Sequence, residues 1–307
     1  MLKGIFKDAS SFIQILLLFF FFFSGAIAGE LIGTVVVMMK NGFSVENFNT
    51  VQQNLQAYPE ILREIHFFSS LGGFVFPSLI AAYLFSGDYK NYLKIDTPIQ
   101  TSVVLWAALS MFVAIPCLDF IAYYNQQIHF PEYLKPLEVT LRTQEENMTV
   151  LSEAMMQMNS LWDLILGIVV VAIFAAIGEE FLFRGVFQNI FGRFIRNKHW
   201  VIWIAATVFS LAHFQFFGFI PRLLLGAYLG YLLYFTKNIW VPVVAHFTNN
   251  FIIIMCYWIF RDKPEQLEKI DNVSAGSSWW LALVSLIIFV IIFVKIRKES
   301  RLQDFSS

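Results

Sequence analysis

Charge is scarce in this chain. Only 14% of its 307 residues are Asp, Glu, Lys or Arg, and 21 basic against 22 acidic side chains leave a net charge of −1. Such a balance offers no electropositive face, and it points away from a nucleic-acid partner. Cysteine is nearly absent. Cys117 and Cys256 both sit in apolar runs, so neither a disulfide framework nor a CxxC metal site is supported, and both read as packing residues. The helical zinc-protease signature HExxH is missing. So are internal repeats and any polar segment long enough for a separate soluble domain. A cleavable signal peptide is not expected either. The first apolar run, Phe12–Met39, is too long for a signal core and has no small-residue cleavage site.

What the chain has in abundance is apolar surface. It is 58% hydrophobic with 35 Phe and a mean hydropathy of +0.64. Such a composition predicts an all-α fold, a polytopic membrane helical bundle. A spanning helix needs about 20 apolar residues, and the runs predict about eight transmembrane helices. These lie near Phe12–Met39, His66–Phe85, Thr101–Tyr124, Trp162–Ile190, Trp200–Phe216, Phe219–Phe235, Val241–Phe260 and Trp279–Val294. The Phe19–Phe23 run reads as lipid-facing bulk. Alternate loops are basic: Lys3 and Lys7; Lys90 and Lys94; Arg193, Arg196 and Lys198; Lys237; and the tail with Lys295, Arg297, Lys298 and Arg301. The loops between them, Gln126–Ser160 and Arg261–Ser278, are acidic or mixed, and they carry sequons at Asn147 and Asn272. Basic loops mark the cytoplasmic face, so both termini are expected to be cytoplasmic. Leu151–Met158 is amphipathic enough for a surface helix.

A few polar side chains break the apolar runs: Glu30, Asp119, Glu179, Glu180, Arg184, His213, Arg222, His246, Asn249 and Asn250. Ionisable groups inside a membrane are functional candidates, because burial costs several kcal/mol, roughly 2.5–3.5 at the bilayer centre, unless they pair or line a wet cavity. Glu180 and Arg184 are four apart and can pair on one helical face. Glu179 is rotated about 100° from them and stays available for chemistry. His246 and Asn250 are also four apart. Counted from the basic turns at about 1.5 Å per residue, Glu179, His213, His246 and Asn250 lie roughly 20, 20, 8 and 14 Å deep. They can therefore meet in the cytoplasmic half of the membrane, in a cavity expected to open inward. Asp119 and Arg222 count toward the outer ends of their helices and read as interfacial or structural.

This set can activate water. Glu179 would act as general base, and His213 would either orient the water or bind a metal. His246 and Asn250 could donate to an oxyanion. Two histidines and a carboxylate (Glu179, His213, His246) also suit a catalytic zinc. The residues alone leave both routes open.

Three motifs then stand in order. EEFLFR (Glu179–Arg184) resembles the EExxxR motif of the CAAX protease and bacteriocin-processing (CPBP, or Abi) family of intramembrane proteases. FSLAH (Phe209–His213) resembles its FxxxH motif, and HFTNN (His246–Asn250) its HxxxN motif. The resemblance covers about Leu161–Phe260. It divides the chain into an N-terminal part, residues 1–160, with three helices; a protease-like core, 161–260; and a last helix with a basic tail, 261–307. It implies a catalytic set of Glu179, Glu180, Arg184, His213, His246 and Asn250, with Glu180 and Arg184 supporting. It implies an endopeptidase acting on a peptide or membrane-protein substrate, including a prenylated CAAX-type one. A divalent metal such as zinc and a metal-free glutamate mechanism both fit. A non-catalytic bacteriocin-immunity or scaffold protein of the same fold is the alternative. The chain is expected in the lipid bilayer as an integral multi-pass protein of a bacterial cytoplasmic membrane.

Overall fold

A computed structural model describes residues 2–263, 265–266 and 278–304, with no side-chain detail for 302–304. The Asn272 sequon and most of the Arg261–Ser278 loop lie outside the described residues. Among those described the fold is helical, without strands. Among the described residues seven helices are long and apolar enough to cross a bilayer. These are α1 (Ser11–Asn41), α3 (Pro59–Phe85), α5 (Thr101–Gln126), α7 (Leu161–Phe194), α9 (Phe219–Thr236), α10 (Trp240–Ile259) and α11 (Trp279–Asp304). The protein is an integral multi-pass membrane protein. Other helices are α2 (Val45–Gln53), α4 (Tyr89–Leu93), the polar α6 (Lys135–Met156) and α8 (Lys198–Leu211).

The predicted span Trp200–Phe216 is α8, which is too short to count among the seven. Its 14 residues make about 21 Å of helix, short of the roughly 30 Å of a hydrocarbon core. The helix stops at Leu211 rather than Phe216 because the chain turns back through Phe214, which sits at φ 55. α3 differs in the other direction and begins at Pro59, well before His66. Its first turns carry Arg63, a charge that hydropathy alone treats as a boundary. Arg63 is buried at 1% exposure and is neutralised by Asp163 of α7 at 2.6 Å. It also donates to the carbonyls of Met155 and Gln157 at 3.0 and 2.7 Å.

α1 shows why these segments form helices where they do. Ser10 caps its start, its Oγ accepting from the N–H of Ile13, and Gly42 ends it at φ 64. Gly25, Gly29 and Gly33 recur every fourth residue and bring α1 against α3 backbone to backbone. A Cβ at Gly29 would lie 2.1 Å from the Phe68 carbonyl oxygen, so a small residue is required there. The other small pair, Gly226 and Gly230, receives α8 in the same way, packing on Ala206 and Ile202.

The connecting segments sort to two ends. At one end Ile239 N–H donates to the Lys94 carbonyl (3.1 Å), Asn189 to the Tyr92 carbonyl (2.7 Å), and Ser102 to Glu299 (2.8 Å). Gly4 N–H reaches the Tyr83 carbonyl there as well (3.0 Å). Among the described residues this end gathers the basic loops, the N-terminal segment and the end of α11. The opposite end holds α2, α6 and the turn after α8, where Glu145 accepts from Phe217 N–H (2.6 Å) and Arg142 lies 4.0 Å over the Phe217 ring. The amphipathic stretch expected near Leu151–Met158 falls at the end of α6, which stops at Met156.

Candidate active site

Two neighbouring carboxylates on α7 have different surroundings. Glu180 is fully buried. Its Oε1 accepts from the Arg184 guanidinium at 2.8 Å and from His246 Nδ1 at 2.8 Å. Arg184, 1% exposed, also donates to the Gly226 carbonyl at 3.0 Å and stands 4.5 Å over the Phe209 ring. This one cluster ties α7 to α9 and α10 at the middle of the bundle. A buried charge pair is tolerable when hydrogen bonds accompany it; here they all fall on Oε1, and Glu180 Oε2 is buried without a partner.

Glu179 points elsewhere. Its Oε2 is buried without a hydrogen-bond partner. The nearest cationic candidate is His246 Nε2, at 3.8 Å. That separation is too long for a hydrogen bond and short enough for one water to touch both groups. Because His246 Nδ1 is committed to Glu180, the imidazole is held with Nε2 toward Glu179. His213 follows the end of α8, where Nδ1 lies 2.9 Å from the Phe209 carbonyl. A carbonyl can only accept, so Nδ1 carries the proton and Nε2 is left as an acceptor in the neutral ring. Its ring packs edge-on at 4.9 Å against Phe209. Asn250 donates to the Val171 carbonyl at 2.9 Å, which uses one of its two amide hydrogens, and it accepts from Asn249 at 3.2 Å.

α7 is wound as a π-helix over Ile168–Phe174 and over Glu180–Phe187. Such widened turns recur at functional sites. The first supplies the carbonyl that Asn250 takes, and the second carries Glu180 and Arg184. Residues Gly185–Phe194 run beside α4, where Leu93 fills the space at Gly185 and Asn189 bonds Tyr92.

A cavity of about 560 Å³ lies between α5, α6, α9 and α10. His213, His246, Asn249 and Asn250 line it. So do Asp119, Glu145, Gln215 and Arg222. Asp119 and Arg222 thus belong to the cavity wall. Arg222 is hydrogen-bonded to Gln215, while its other terminal nitrogen has no partner. The charge of Glu179 is felt at His213, Arg222 and His66. His66 on α3 is a neighbour that reading the sequence passed over, because it stood at the edge of an apolar run and outside all three motifs. Gln215 and Glu145 escaped for the same reason. Glu30, by contrast, is exposed on α1.

Among the described residues no group of three or more His, Cys, Asp or Glu side chains converges closely enough to hold a metal ion. Glu179, His213 and His246 are near one another, but as arranged they do not fit a three-ligand zinc site, and no step below runs through a metal.

The part of the chain that builds this cluster, residues 161–252, matches the family of type II CAAX prenyl endopeptidases, Rce1-like. The resemblance carried by the three motifs holds over that stretch, and the matched family is one of proteases. A similar protein is the uncharacterized protein YpbD of Bacillus subtilis (strain 168), 32% identical over 118 residues, which are 36% of this chain and 58% of that protein. The chain thus spans a little over half the length of this relative. No solved structure matches it.

Proposed function

We propose that the protein is an intramembrane endopeptidase that hydrolyses a peptide or membrane-protein segment with water activated by Glu179. The observation that carries this reading is the contrast between the two carboxylates. Glu180 is engaged through Oε1 by both Arg184 and His246, whereas neither of them bonds Glu179, whose buried Oε2 stands unpartnered 3.8 Å from an imidazole nitrogen. A water held between Glu179 Oε2 and His246 Nε2 gives its proton to the carboxylate as its oxygen attacks the scissile carbonyl carbon. The oxyanion that forms is stabilised by the remaining Asn250 amide hydrogen and, when the His246 ring carries a proton on both nitrogens, by its Nε2–H. Glu179 then passes the proton to the departing amine, the C–N bond breaks, and a carboxylate and an amine leave. His213, with Nε2 free to accept, orients the water. Glu180 and Arg184 act through His246 and fix its ring. The match to an endopeptidase family over residues 161–252 supports the same reading.

The test is cleavage by purified protein in liposomes of a pool of membrane peptides, including one with a prenylated C-terminal CAAX sequence. The expected result is cleavage by wild type and by wild type with a chelator, and none by Glu179→Gln or His213→Ala. Loss on chelation with recovery on adding zinc would replace the metal-free route with a metal one. If no peptide is cut and Glu179→Gln still supports the cellular phenotype, the protein is a non-catalytic immunity or scaffold protein.

A further inference from the structure

The cavity has a floor and a mouth, and the same order holds on three helices. On α5 the residues nearest the basic end, Ala107 and Met111, are buried in an apolar cluster, and the cavity residues Ile115, Asp119 and Gln126 follow beyond them. On α10 Val241 and Ala245 are in the cluster and Asn249 to Tyr257 in the cavity. On α9, which runs the other way, Leu229 and Leu232 are in the cluster and Arg222 in the cavity. The floor is closed further by Tyr228, whose hydroxyl is 2.6 Å from Ser110 Oγ. Exposure follows the same gradient. Phe209 and His246, at the inner wall, are 2% and 4% exposed, whereas Gln126 and Thr149 at the far rim are exposed and Ile253 reaches 42%. Packed apolar side chains therefore separate the reactive cluster from the end that carries the basic loops. The rim is made partly by α6, in the segment Gln126–Ser160.

Two expectations thus do not hold together in this fold: basic loops at the cytoplasmic face, and a cavity open to the cytoplasm. The basic loops are the stronger signal, because each of the five gathers at one end. We propose that the site is entered from the opposite end, between α5, α6 and α10, so that the peptide it takes is presented at the extracytoplasmic face. The volume lies within the range of about 300–1,000 Å³ typical of ligand sites. Its walls alternate apolar side chains such as Leu118 and Ile252 with the amides of Gln126 and Asn249. That lining suits an extended peptide with apolar side chains, anchored in or emerging from the outer leaflet. What enters rests on the endopeptidase reading, but the direction of entry does not.

The experiment is thiol labelling of the full chain in right-side-out and inside-out membrane vesicles, with a membrane-impermeant maleimide. Thr149→Cys at the rim, Asn249→Cys in the cavity and Lys198→Cys at the basic end are each made in a Cys117→Ser, Cys256→Ser background. The expected result is that Thr149→Cys and Asn249→Cys label fully in right-side-out vesicles, with no gain on permeabilisation. Lys198→Cys labels only in inside-out vesicles. Asn249→Cys labelling only in inside-out vesicles, or in neither, overturns the proposal, and so does inversion of the whole pattern. Should the Asn249 variant fail to insert, native Cys256, which lines the same cavity, is read in the otherwise unaltered chain. Labelling needs no turnover. If the pattern is as expected and no peptide is cut, the direction of entry stands while the endopeptidase reading falls.

Discussion

Replacing either of two adjacent glutamates by glutamine should have opposite consequences. Glu179→Gln keeps the shape of the side chain and removes its basicity. Its Oε2 has no hydrogen bond to lose, so stability is expected to stay level or rise slightly. Activity is expected to fall by the contribution of a general base, about 10²–10⁴ fold, equivalent to about 3–5 kcal/mol of transition-state stabilisation. Glu180→Gln removes the charge that faces Arg184, which is 1% exposed and bonded at 2.8 Å. An uncompensated buried guanidinium costs about 3–5 kcal/mol of stability, and His246 loses its Nδ1 partner as well. The assay pairs unfolding of each purified variant, followed by intrinsic tryptophan fluorescence, with peptide cleavage in liposomes. Two melting curves that move together would refute the division of labour between the carboxylates. So would a Glu179→Gln variant that cuts normally, or a Glu180→Gln variant as stable as wild type.

Other outcomes follow from the end that carries α6. Arg63→Met is expected to destabilise by about 3–5 kcal/mol, toward the lower figure because Asp163 keeps hydrogen bonds from Asn159, Ser160 N–H and Ser160 Oγ; adding Asp163→Asn should restore part of the loss, and strictly additive effects in unfolding titrations would sink the idea. Glu138 is held down to about 2, first by the Phe130 N–H and then by Arg142. A carboxylate whose folded value lies below its ordinary one stabilises fully above the ordinary range and stops doing so as pH falls toward the folded value. The protection factor of the Phe130 amide, its exchange relative to the intrinsic rate at each pH, should therefore stay high near neutrality and fall between about pH 4.5 and 2, and in Glu138→Gln that step should vanish.

Much of the fold was legible because lipid imposes length and hydropathy on each crossing. Seven of the eight runs became long helices, and the basic loops did gather at one end. The errors arose where one charge is cancelled by another far along the chain. Nothing local marks Arg63 as a partner of Asp163, so α3 was begun too late. The end of α8 depends on a left-handed Phe214, which no propensity announces. The motif residues stood out because ionisable groups are rare in apolar sequence, and Glu180, Arg184 and His246 do meet. His66, Arg222 and Gln215 are brought to the same place by packing alone. The close approach of α1 to α3 was written plainly in Gly25, Gly29 and Gly33, a spacing overshadowed by the longer phenylalanine run beside it.

The π-wound turns of α7 bear on how such a helix can change over time. A widened turn accommodates one residue more than its neighbours expect, and the surplus is absorbed locally while both flanks keep their register. Above the first widened turn, Asp163 is clamped to Arg63. Below the start of the second, Arg184 is clamped to the Gly226 carbonyl. The stretch between them, which ends in the two carboxylates, works like a slack segment between fixed pins. Insertions and deletions of a single residue there could re-aim Glu179 while leaving the anchors at either end in place. A chain built this way can redirect its reactive group by small edits to one helix and need not rebuild the bundle around it.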